Sequence, residues 1–164
     1  MSALRRKLSG GSTNAAILVA LVLCASPLAA QRTSLTLAGG TVTFAAPTAA
    51  DYEAGYIDSP TGVTFTIDAQ TGLARTTTIS IRSASASLGS GKLIGDLQWR
   101  RSDLATWNSM TLTDAQVEQR VVVRNLSNDP WSNTIFFRML LSWTSDGPAT
   151  YSANYQITLS QTVP

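Results

Sequence analysis

Histidine does not occur in this 164-residue chain, and its one cysteine is Cys24. That removes the commonest general base, imidazole-activated thiols and most zinc sites. Serine is plentiful, yet none stands in a Gly-X-Ser-X-Gly elbow. Oxygen chemistry and aromatic contact remain. A glycosidase needs only two carboxylates, and Asp96, Asp103, Asp114 and Glu118 lie close together in sequence. Acids beside turns more often cap backbone groups and keep a surface soluble, so a non-enzymatic protein is the expectation. Calcium binds through oxygen alone, and Asp51, Glu53 and Asp58 are its candidates, but no Asp-X-Asp-X-Asp-Gly loop is present. No cofactor motif occurs.

Aromatic residues offer a second kind of chemistry. Trp107 and Trp131 lie beside turns and are flanked by Asn108, Asn128 and Asn133, a pairing that suits stacking and hydrogen bonding to a sugar ring. The competing reading is that each folds back over an open end of the protein and covers it. Trp99 and Trp143 fall in register with apolar neighbours and are expected in the core. Asn125-Leu126-Ser127 matches an N-glycosylation sequon.

The first thirty residues read as a secretory signal peptide. Arg5, Arg6 and Lys7 form a basic start, Ala15 to Cys24 an apolar stretch, and Leu28-Ala29-Ala30 a small-residue exit. The apolar run is short for a membrane span and is broken at Ser26-Pro27. Residues 31–164 then carry nine basic residues against ten acidic ones, a formal net charge of −1, whereas the whole chain is at +2. No basic stripe is left to neutralise phosphates, so nucleic acid is not an expected partner. The same 134 residues suit one domain, held together without disulfides.

Along that domain apolar residues recur at every second position between turn signals. Val63, Phe65 and Ile67 alternate with polar residues, as do Thr77, Ile79 and Ile81, and these two segments are expected as neighbouring antiparallel strands. Leu93, Leu97 and Trp99 share a predicted face, with Trp107 to Leu112 returning beside them. Asp51 to Ile57 reads as a short strand, and Thr113 to Arg120 has a capping-box spacing that hints at a helix start. The strongest pattern runs from Thr134 to Leu159. Ile135, Phe137, Met139, Leu141 and Trp143, then Tyr151, Ala153, Tyr155, Ile157 and Leu159, flank Ser145-Asp146-Gly147-Pro148-Ala149 and predict a β-hairpin. No fixed-period repeat or low-complexity tract occurs. The expected fold is all-β, a single immunoglobulin-like antiparallel sandwich of about 7–9 strands. An eight-stranded outer-membrane barrel is the structural rival.

Gly147-Pro148-Ala149-Thr150-Tyr151, followed by a strand with Tyr155, Ile157 and Leu159, resembles the last strand of secreted bacterial spore-coat-U-like and chaperone–usher pilin-like domains. Asp51-Tyr52-Glu53-Ala54-Gly55-Tyr56 shares the look of such exported sandwiches. The resemblance implies a structural subunit of a surface fibre or coat, in which one subunit's N-terminal segment completes the sheet of the next. Two departures stand out: the cysteine pair common in such pilins is missing, and Leu35, Leu37, Val42 and Phe44 change parity at Gly39-Gly40. Strand addition needs only an open edge and pockets for alternate side chains, so those four residues are the candidate assembly strand. The expected role is an exported envelope subunit, structural or adhesive, meeting itself or another envelope protein through sheet edges. A carbohydrate-binding module using Trp107 or Trp131 is the alternative.

Overall fold

The computed structural model describes residues 32–39, 42–70, 74–122, 130–147, 149, 151–152 and 154–163. The signal-peptide reading, Cys24, Gln31 and the sequon at Asn125 lie outside them. Among these residues eleven strands and one short α-helix follow in order: β1 (Arg32–Ala38), α1 (Ala49–Ala54), β2 (Tyr56–Asp58), β3 (Val63–Gln70), β4 (Arg75–Ser83), β5 (Ser87–Gly89), β6 (Lys92–Leu93), β7 (Leu97–Arg101), β8 (Asn108–Ser109), β9 (Ala115–Val122), β10 (Trp131–Leu140) and β11 (Tyr155–Thr162). All pairing is antiparallel. One sheet has the order β1-β3-β10-β7-β8, with β2 also on β10, a second is β11-β4-β9, and β5-β6 is a small separate hairpin.

The two larger sheets face each other across an apolar core. Val63, Phe65 and Ile67 of β3, Ile79 and Ile81 of β4, and Ile135, Phe137 and Met139 of β10 are all nearly or fully buried, while the residues between them are not. Period-two burial from both sheets is what a sandwich requires. An outer-membrane barrel would turn its apolar face outward instead. Trp99 of β7 is buried in this core, as expected, and among the described residues its indole N–H has no hydrogen-bond partner.

Several local expectations are corrected. β10 and β11 belong to opposite sheets, so the Thr134 to Leu159 pattern is not a hairpin. β3 and β4 are likewise in different sheets rather than neighbours. Asp51 is in a helix, not a strand: Thr48 and Asp51 form a capping box, and Gly55 closes α1 at φ 77° in the left-handed region. Thr113 caps no helix, and the segment after it is β9. Trp143 lies beyond the end of β10, 62% exposed and stacked on Tyr52 with ring centroids 4.5 Å apart.

Position 62 tolerates nothing but glycine. β2 and β3 both pair with the same side of β10, so their connection is pressed against that strand. A Cβ on Gly62 would come within 2.5 Å of Thr134 Cγ2 and 2.8 Å of the Ile135 carbonyl oxygen. Gly62→Ala is therefore expected to cost about 1–3 kcal/mol through overpacking, measurable as a shifted denaturation midpoint with an unchanged slope.

Candidate functional site

Two surfaces bring sequence-flagged residues together. The first is the margin where β1 ends one sheet and β11 ends the other. Among the described residues each has a ladder partner on one side only, β3 for β1 and β4 for β11. The strands meet through side chains: the Thr33 hydroxyl donates to Gln161 Oε1 at 3.1 Å. Leu35, Ile157 and Leu159 are only partly buried against the core, and Leu37 is 41% exposed. Apolar side chains thus flank two rows of open backbone groups.

The candidate assembly strand is divided. Leu35 and Leu37 stand on β1 with inward register opposite Ile67 and Phe65. Val42 and Phe44 lie past the parity change in an extended segment without ladder pairing, packed against the chain's own core. They line a cleft with Leu88, Met139, Tyr151 and Tyr155. Only half of that segment is part of an edge.

The second surface is the outer face of the β1-containing sheet. Strand alternation places Arg100 of β7, Phe136 and Arg138 of β10, and Tyr56 of β2 on this side, opposite the buried Trp99, Phe137, Met139 and Ile57. Trp107 reaches the same side from just before β8. The Arg138 guanidinium lies 4.5 Å from the Trp107 ring centre and 5.1 Å from that of Tyr56. Arg100 lies 5.1 Å from Trp107 and 5.2 Å from Phe136. Gln98 Oε1 accepts from Arg138 Nε at 2.7 Å, and the Leu104 carbonyl from Arg100 Nη1 at 3.0 Å. The result is a row of alternating rings and guanidinium groups, which stabilise each other through the ring quadrupole.

This geometry separates the two tryptophans proposed for sugar contact. Trp131 is partly buried against the core, with Arg120 5.1 Å from its ring, and among the described residues its buried indole N–H has no hydrogen-bond partner. Trp107 is half-buried beneath two guanidinium groups and is not an open stacking platform.

Six of the described carboxylates are engaged with cations or a cap. Asp96 and Asp146 pair with Lys92, Asp114 with Arg82, and Glu118 with Arg101 and Arg120. A register shift in β9 after Ile79 of its partner buries Val117 and Glu118 in succession, which brings Glu118 to Arg101 across the sheets. Arg101 also grips Asp103 with two nitrogens at 2.8 and 2.6 Å, and this holds the Asp103 carboxyl below the usual carboxylate range. The Thr48 backbone N–H, then its hydroxyl, does the same for Asp51. Of Asp51, Glu53 and Asp58, the first is committed to that cap, and among the described residues no three potential ligands converge on a metal position.

A carboxyl whose pKa falls on folding contributes stability above its unfolded value and loses it as pH drops through the lower folded value. Asp103→Asn is therefore expected to destabilise the protein at about pH 7 and to approach the parent as pH falls below the ordinary carboxylate range, in urea titrations run across that range.

No family model, curated protein or solved structure matches this chain. Among the described residues no helix is long and apolar enough to cross a membrane.

Proposed function

We propose that this chain is an exported, non-enzymatic subunit of a bacterial envelope, structural or adhesive, that joins its partners by strand addition at open sheet edges. The observation that carries the reading is the margin formed by β1 and β11. Two unpaired edges, one from each sheet, lie side by side with half-buried apolar side chains between them. An added strand would satisfy the open backbone groups and cover Leu37. The basic and apolar pattern of residues 5–24 supports export, and the C-terminal resemblance to pilin-like domains supports assembly.

The native mass of the purified mature protein tests this across a concentration series, before and after mild heating in detergent. Discrete oligomers that survive detergent and collapse on boiling are expected. A monomer at every concentration, also in the presence of envelope extract, would remove self-assembly and edge-mediated partnering together.

A further inference from the structure

We propose that the row of rings and guanidinium groups on the outer sheet face binds a carboxylated polysaccharide, with Arg100 and Arg138 receiving its carboxylates. Both arginines are half-buried, and each guanidinium lies within 5.2 Å of two aromatic ring centres, which restricts it before any ligand arrives. Beyond the bonds from Arg138 Nε to Gln98 and from Arg100 Nη1 to Leu104, each guanidinium has further in-plane N–H donors with which it can meet a carboxylate as a planar fork. Among the described residues neither forms an ion pair, in contrast to Arg82, Arg101 and Arg120. Asp58 stands opposite Arg138 in the β2–β10 register, and no ion pair joins them. Among the described residues this face thus carries two arginines whose charge is not committed to an ion pair.

The surroundings decide the kind of anion. Around the row this face presents Thr64, Thr66, Ser132, Thr134, Gln98 and Ser109, hydroxyl and amide groups on the outward register. Such a surface suits a ligand rich in hydroxyls. Net charge near neutral argues against nucleic acid. The face is also separate from the β1–β11 margin, so binding here and assembly there are independent.

Binding of polygalacturonate to the intact purified protein at low salt provides the test, with methyl-esterified polygalacturonate, neutral dextran and duplex DNA as comparisons. The parent is expected to bind the free acid, to lose it as salt rises, and to ignore the ester and dextran. Arg100→Gln/Arg138→Gln should weaken binding about tenfold or more, each lost charge-assisted bond being worth roughly one decade. Arg82→Gln changes charge equally on the opposite sheet and should bind as the parent does. Arg100→Lys/Arg138→Lys keeps both charges and the packed stems while losing the planar fork, and a several-fold weakening is expected even if the glutamine variant folds poorly. Equal binding of ester and acid, equal loss in Arg82→Gln, tighter binding to DNA, or no binding of polygalacturonate by the parent would overturn the proposal.

Discussion

Removing either partner of the Lys92–Asp146 pair is expected to destabilise the protein by about 3–5 kcal/mol, because it strands a buried charge. Lys92 Nζ lies 2.7 Å from Asp146 Oδ2, and the two side chains are 3% and 5% exposed. The same carboxylate oxygen accepts the Ser142 backbone N–H at 2.8 Å, and Asp96 stands 3.4 Å from the ammonium. The pair fastens the β5–β6 hairpin to the connection between β10 and β11, where Ser152 N–H also donates to the Leu88 carbonyl at 2.9 Å. Lys92→Met and Asp146→Asn should each show the loss in equilibrium urea unfolding. Lys92→Met/Asp146→Leu should recover most of it, since replacing both ions by apolar groups removes their desolvation cost along with their attraction. A double variant that stays well below the parent in stability would mean that the attraction outweighs desolvation here, and one as unstable as the sum of the singles would mean that the two charges are not coupled.

Phe137→Ala is the second large expected effect, a loss of about 3–5 kcal/mol. The ring is 1% exposed at the centre of β10, the strand that pairs with β2, β3 and β7. It also reaches across to the other sheet, 5.3 Å from the Tyr155 ring. Its removal would leave a cavity that strands on both sides are too constrained to fill. Phe137→Leu should cost distinctly less, because most of the volume is kept. A thermal midpoint lowered by about 10 °C or more is the corresponding signal for Phe137→Ala. Leu37→Ala, at the open margin, removes a side chain still 41% exposed and should cost far less.

These two sites differ in how far the chain announces them. Phe137 was legible because strict alternation from Ile135 to Leu141 leaves one face for the core. Lys92 was not. Leu93 reads as the buried residue of that segment, yet it is 68% exposed and Lys92 is buried. A helical turn over Ile94–Asp96 separates β6 from β7 and resets the parity before Leu97 and Trp99 turn inward. Nothing local marks Asp146, 54 residues away, as the counter-charge.

Sequence alone determined that this is an all-β protein, which residues of β3, β4, β7 and β10 face the core, and that imidazole and thiol-pair chemistry are missing. Those properties follow from composition and from a side-chain period of two, both local. Which sheet each strand joins was decided only by the tertiary structure. Alternation reports one buried face but not what lies against it, so β10 and β11 looked like a hairpin while sitting in opposite sheets. The Arg100–Trp107–Arg138 row and the division of Leu35 to Phe44 between an edge and a core-packed segment have the same origin. Each depends on non-local pairing, which brings together residues that no spacing along the chain connects.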